Sequence, residues 1–270
     1  MSRQAVSLFP QQPPFFPSMN NPLAAATNPP DRGDGQPPTS SPQAPARVFD
    51  MDRRRLRQQR VIAGFEPGPY VDAFKVLRAK LLNRMRESGW TTLGVTSASA
   101  RAGKTVVAAN LAISLAMEAD QRVLLVDADL RNPCVGRCFG VEPAQGLADC
   151  LAGRLAPESL LLSPRGFERL ALLPGTTPRI DSAELLSSPA MAALVEALKS
   201  RQPSRVILFD MPQAQTADAL AFAPLLDGLL LVVDAESTQE DELAQALELP
   251  LAAPILGTVL NRAAIRTGEA

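Results

Sequence analysis

The sequence predicts an α/β fold: a three-layer, doubly wound sandwich around a mainly parallel sheet. Three observations predict it. From about residue 70 onward, short apolar runs alternate with segments of helical periodicity. Most of the runs are apolar throughout, as strands covered on both faces must be. Polar residues gather just after the runs, where open parallel sheets bind their ligands.

The chain has 270 residues and is 46% hydrophobic, enough for one large domain with tails. Aromatics make up only 4%, so Leu, Val, Ile and Ala must fill the core. A formal net charge of −1 does not describe a polyanion binder, and no nucleic acid partner is expected. There is no histidine. That excludes a Ser-His-Asp triad, a Cys-His pair and any histidine metal ligand. Cys134, Cys138 and Cys150 are too few and odd in number for a disulfide framework, and read as reduced thiols. No secretory signal is read at the start, and no uncharged apolar run reaches the ~18–20 residues that span a bilayer. A cytoplasmic protein is expected, reaching the inner membrane only through a partner.

Residues 1–46 hold eleven of the 25 prolines. Such a segment buries too little apolar surface to offset its ordering entropy, so a disordered tail is expected. Its "PQQPPFFP" reads as linker, with a polyproline docking peptide as the alternative. Residues 47–68 read as a basic linker. There "DMDRRRLRQQR" is a solvated face rather than a contact for anionic lipid, nucleic acid or an acidic partner.

A domain is expected over 69–263, followed by a short tail, 264–270. "YVDAFKVLRAKLLNRMRES" sets Val71, Phe74, Leu77, Leu81 and Met85 at helical spacing. "TTLGVTSA" is a strand and "KTVVAANLAISLAMEAD" a helix. "RVLLVDAD" is a strand ending in acid, and "LADCLAG" a short helix closed by Gly153. "RLALLPG" is a strand, and "SAELLSSPAMAALVEALKSR" is helical with a break near Pro189. "RVILFDMP", "LLLVVDAE" and "ILGTVLNRA" are strands. "TADALAFAPLLDG" and "TQEDELAQALELP" are the helices between them.

The strand ends carry the chemistry. After the first core strand comes "SASARAGKT", with the spacing of a phosphate-binding loop read from Ala98. Backbone N–H groups at a helix start point at an anion, aided by the helix dipole. Ala100, Arg101, Ala102, Gly103, Lys104, Thr105 and Val106 are therefore the expected phosphate cradle. Lys104 reaches the outer phosphates and the Thr105 hydroxyl ligates Mg²⁺. Asp127 and Asp210, at two further strand ends, supply hard oxygens to the same ion. Asp129 points elsewhere and is the candidate to accept the proton of an attacking hydroxyl. Lys104, Asp127, Asp129 and Asp210 form the expected catalytic set. Arg101 stands inside the turn. It either strains the backbone, if that position needs φ > 0, or adds positive charge near the phosphates.

"VTSASARAGKTVVAANLA", "VLLVDADLRNP", "GLADCLAG", "VILFDMP", "DGLLLVVDAESTQ" and "ILGTVLNR" resemble, in order and spacing, the bacterial tyrosine kinases of capsular and exopolysaccharide synthesis. The resemblance covers about residues 70 to 263. Its most discriminating element is Asp127-Ala-Asp129-Leu-Arg131 followed by Pro133. It implies a P-loop fold of the deviant Walker A type, ATP and Mg²⁺ as cofactors, and transfer of a phosphoryl group to tyrosine. It implies Asp127, Thr105 and Asp210 around the ion and Asn261 near the base. It further implies a membrane chain-length or polysaccharide-export protein as activator. Self-association would run through the first helix, where Asp72, Lys75 and Arg78 keep the charge signs of the family's motif; a charged helix face is the alternative. Two features depart from the family. The loop reads Ala100-Arg101-Ala102 before Gly103-Lys104-Thr105. The only tyrosine is Tyr70, an acceptor or a packing residue, so no tail cluster is available for self-phosphorylation. An ATPase switch that phosphorylates no protein is therefore the alternative.

Overall fold

The computed structural model describes residues 46–201 and 205–263. Of the expected tails, residues 1–45 of 1–46 and all of 264–270 lie outside the described residues. An eight-stranded sheet forms the middle layer, built of β1 (Arg47–Phe49), β2 (Thr92–Ser97), β3 (Arg122–Asp127), β4 (Leu162–Pro164), β5 (Leu170–Leu173), β6 (Arg205–Asp210), β7 (Gly228–Asp234) and β8 (Ile255–Asn261). The strand order is β1-β4-β5-β3-β6-β2-β7-β8. Every pairing is parallel except β4 with β5.

The side-chain period of two splits each core strand between two apolar layers. Val123 and Leu125 of β3 face one side, while Leu124 and Val126 face the other. In β7, Leu230 and Val232 join the first layer, and Leu229, Leu231 and Val233 the second. The first layer is covered by α1 (Arg53–Gln58), α2 (Pro69–Ser88), α3 (Lys104–Ala116) and α4 (Val135–Cys138). The second is covered by α5 (Leu147–Leu151), α6 (Pro157–Leu160), α7 (Ser182–Leu186), α8 (Pro189–Arg201), α9 (Ala217–Phe222) and α10 (Glu240–Glu248). Helix α2 buries Val71, Phe74, Leu77, Leu81 and Met85 as its spacing predicts, and Leu82 besides. It ends at Gly89, whose φ of 67° is the left-handed cap that glycine adopts without strain.

The segment expected as a linker is folded. Strand β1 pairs with β4, and Asp52 caps α1 by accepting from Arg54 N at 2.8 Å. Leu56 and Val61 are fully buried. Charge counting sees only arginines here; one leucine is enough to seat so short a helix on the core. The buried Asn110 of α3 holds the turn after α1. Its Oδ1 accepts from Ile62 N at 2.9 Å and Ala63 N at 3.0 Å, and its Nδ2 donates to Arg60 O and Val106 O, both at 2.8 Å. All four hydrogen-bonding positions of the carboxamide are used. Tyr70 packs edge-on against Phe74, its hydroxyl donates to Arg60 O at 3.3 Å, and burial raises its pKa. It is a packing residue.

Asp227, which interrupts an apolar run, is a strand-end clamp. Its Oδ2 accepts from Thr91 N at 2.9 Å and Thr92 N at 2.8 Å, and Lys199 Nζ donates to Oδ1 at 2.9 Å. Burial works to raise the carboxyl pKa, but Lys199 and the two amides hold it below the usual range. A depressed carboxylate contributes stability that is present above its unfolded pKa and lost as pH falls through the folded value. Asp227→Ala is expected to lower unfolding stability by about 1–3 kcal/mol at pH 7, read from urea titration, with the difference shrinking in acid below the carboxylate range.

Candidate nucleotide site

The carboxyl ends of β2, β3, β6 and β8 converge. Asp127 and Asp210 are register partners across the β3–β6 pair, so two carboxylates are forced side by side. Both are fully buried. Asp127 Oδ2 accepts from Val135 N at 2.9 Å, and Asp210 Oδ2 accepts from Thr105 Oγ1 at 2.7 Å. Their two Oδ1 atoms are buried with no hydrogen-bond partner. Burial, and then the neighbouring Asp210, raises the Asp127 pKa well above the carboxylate range. Burial likewise pushes Asp210 up to about 7, against the pull of Lys104.

The loop between β2 and α3 lies over this pair. A cavity of about 680 Å³ is lined by residues 100–106 with Asp129, Arg131 and Cys134. The predicted cradle residues thus come together, with Asp127, Asp210 and Asn261 buried behind them. Lys104 opens α3, and its Nζ lies 2.7 Å from Asp129 Oδ2. Burial opposes the lysine charge, but Asp210 and Asp129 outweigh it and raise the pKa. Strand β3 stops at Asp127, which frees Asp129 to turn toward the lysine; its Oδ1 accepts from Asn132 N at 3.1 Å.

Arg101 meets both of its expectations. Its φ is 60°, in the left-handed region, and its exposed side chain stands at the cavity rim. Its carbonyl accepts from Arg262 Nη2 at 3.2 Å, and Arg262 is paired with the buried Asp234. That tie holds a conformation costing a non-glycine residue roughly 1–2 kcal/mol. Arg101→Gly keeps the carbonyl tie and is expected to raise stability by about 1 kcal/mol, read as a shift of the urea midpoint. Gly103 is required twice over. Its φ is 89°, and a Cβ there would collide with Asn261 Nδ2. Asn261 instead donates to Ala102 O at 2.7 Å and supports the loop from behind.

Some residues escaped the sequence reading. Arg131 Nε lies 3.1 Å from both carboxylate oxygens of the buried Asp218 on α9. Cys134 Sγ donates to Thr105 Oγ1 at 3.4 Å. A hydrogen bond from Cys138 pulls the Cys134 thiol down to about 6 against the cost of burial, with help from Lys104. The thiols' spacing, Cys134 to Cys138 with three residues between, was the available signal. Of the proposed assembly residues, Asp72 and Lys75 pair with each other at 2.8 Å on the surface. Arg78 turns inward instead. It donates to Ser114 O at 2.8 Å and pairs with Glu118 at 2.7 Å, because it sits where α2 crosses α3.

The residues fit a magnesium ion. Two orphaned carboxylate oxygens and a hydroxyl are the hard donors such an ion takes. Among the described residues no group of three or more His, Cys, Asp or Glu side chains is placed to hold a metal, so the rest of the shell would be phosphate and water.

A profile of the CobQ/CobB/MinD/ParA nucleotide binding domain matches residues 93–269. The succinoglycan biosynthesis transport protein ExoP of Rhizobium meliloti (strain 1021) is 32% identical over 213 residues, 76% of this chain and 26% of ExoP. The chain thus spans about a quarter of that relative's length. The tyrosine-protein kinase YwqD of Bacillus subtilis (strain 168) is 30% identical over 214 residues, 78% of this chain and 89% of YwqD. The kinase domain of the Escherichia coli tyrosine kinase ETK superposes with a TM-score of 0.66 at 26% identity, over 74% of this chain and 78% of that one.

Proposed function

Because the chain belongs to the bacterial tyrosine kinases of the CobQ/CobB/MinD/ParA nucleotide-binding family, we propose that it binds Mg-ATP and passes a phosphoryl group to tyrosine on a protein of exopolysaccharide or capsule synthesis. One observation carries the reading: Lys104, Thr105 and Asp129 line one cavity at a helix start, with the paired Asp127 and Asp210 buried behind Thr105. Backbone N–H groups of residues 100–106 and the start of α3 bind the phosphates. Lys104 neutralises their outer oxygens. Thr105, Asp127 and Asp210 would hold magnesium, which supplies positive charge to the phosphate oxygens when bound. Asn261 keeps Ala102 and Gly103 in place, and lies near the base.

Asp129 has a distinct part. Its carboxylate is tied to Lys104. Phosphates that draw Lys104 away leave Asp129 Oδ2 free to accept the proton of an incoming tyrosine hydroxyl. The proposed acceptor is a tyrosine of a partner rather than Tyr70, which is packed. The proposed activator is a membrane chain-length or export protein, which would hold this cytoplasmic domain at the inner membrane. Among the described residues no helix is long and apolar enough to cross a membrane. The exposed Asp72 and Lys75 remain the self-association face.

The packed Tyr70 also favours a second reading, an ATPase switch that controls assembly with the export partner and phosphorylates nothing. Incubation with the membrane partner and labelled ATP separates the two. Label on partner tyrosine supports the kinase; phosphate release alone supports the switch. Asp129→Asn is expected to slow transfer about 10²–10⁴-fold while nucleotide affinity changes by less than about threefold. Equal loss of both counts against a role as base.

A further inference from the structure

Two of the three cysteines form a unit beside the phosphate loop. Cys134 caps α4 and is half-buried in the cavity wall; Cys138, one turn on, is buried. Cys138 N donates to Cys134 O at 2.9 Å, which closes a single helical turn. Four helical steps separate the Cα atoms by about 6 Å, inside the roughly 4.4–6.8 Å that a disulfide spans. Cys134 itself is not helical, with φ −147° and ψ 1°, so its side chain is free of the helix register.

The same turn meets the phosphate loop. Cys134 Sγ lies 3.4 Å from Thr105 Oγ1, and Thr105 donates to Asp210 Oδ2 at 2.7 Å. The Cys134 sulfur is thus connected, through the Thr105 hydroxyl, to the Asp210 carboxylate buried behind the cavity wall.

We propose that Cys134 and Cys138 are an oxidation site, at which a peroxide closes an intramolecular disulfide that weakens nucleotide binding. Cys134, the more open of the pair, attacks the peroxide O–O bond. Its sulfur becomes a sulfenic acid, and the second oxygen leaves as water after taking a proton. The Cys138 sulfur then attacks the Cys134 sulfur, and its own proton departs with the displaced hydroxyl as water. Two thiols and one peroxide give one disulfide and two waters; two electrons pass from sulfur to oxygen. An S–S bond of about 2.05 Å draws Cys134 away from Thr105 and leaves neither sulfur a hydrogen to donate. The wall that carries Thr105 must then shift. The effect on nucleotide rests on the proposed function; the thiol chemistry does not.

The test uses the full chain carrying Cys150→Ser, reduced and then treated with hydrogen peroxide. Arg137 lies between the two cysteines, so trypsin separates them unless a disulfide joins the peptides. Joined peptides, with at least tenfold weaker binding of a fluorescent ATP analogue that dithiothreitol restores, are the expected result. Cys138→Ala should lose the joined peptide and the reversible drop together. Separate peptides after peroxide, or joined peptides with unchanged affinity, overturn the proposal. A reduced protein that binds no nucleotide overturns the proposed function, and the switch along with it.

Discussion

Lys104→Ala is expected to weaken nucleotide binding at least about 30-fold while leaving the fold intact. Lys104 is the one cation in direct contact with the acids of the cavity among the described residues: its ammonium sits 2.7 Å from Asp129, and Asp210 also raises its pKa. Asp127, Asp129 and Asp210 are all buried, so their field is poorly screened. With the lysine present, the arriving phosphates meet a positive charge at the start of α3. With alanine they meet carboxylates. Truncating one partner of a buried, hydrogen-bonded charge pair costs about 2–5 kcal/mol, or roughly 30- to several-thousand-fold in affinity. Titration with a fluorescent ATP analogue measures it. Binding within threefold of the parent would remove Lys104 from the site. The lysine's raised pKa places its own contribution to stability below its unfolded value, with loss only as pH climbs through the raised one. At neutral pH the parent therefore holds that contribution in full, and thermal melting of both proteins at pH 7 shows whether the variant keeps its fold.

The second large effect comes from the Asp127–Asp210 pair. Asp210 rises from an ordinary carboxylate value to about 7, and Asp127 moves the same way, because two acids are buried in register. Proton counting gives the sign. Between pH 4 and about 7 the folded metal-free protein holds protons that the unfolded chain has released. Stability from this pair is full below the unfolded value and is lost as pH rises through the folded one. The metal-free protein should therefore melt at a lower temperature at pH 8 than at pH 5.5, by at least about 2–4 °C if the pair contributes 1 kcal/mol. Asp210→Asn cannot ionise and should flatten this slope, melting higher than the parent at pH 8. The same variant loses one of the two orphaned oxygens, so magnesium should no longer tighten nucleotide binding. A parent protein whose melting temperature holds level from pH 5.5 to 8 would contradict this account.

The loop between β2 and α3 shows how far local reading reaches. A strand, a turn of small residues and a helix start can be read in a line, because each depends on neighbours a few residues away. The left-handed need at position 101 was only an alternative in the sequence, since φ depends on where the turn's two ends are held. Arg262 holds one of them from more than 150 residues away.

The amino-acid order by itself determined the alternation of strand and helix, the burial of both sheet faces and the placing of acids at strand ends. Hydrophobic period reports these directly. Only the tertiary structure decided which acids pair: Asp129 with Lys104, and Asp127 beside Asp210. It also turned Arg78 onto α3, folded the arginine-rich segment around Leu56, and set Cys134 beside Thr105. Those outcomes depend on strand order and register, which bring distant residues within a hydrogen bond and leave no periodic trace along the chain.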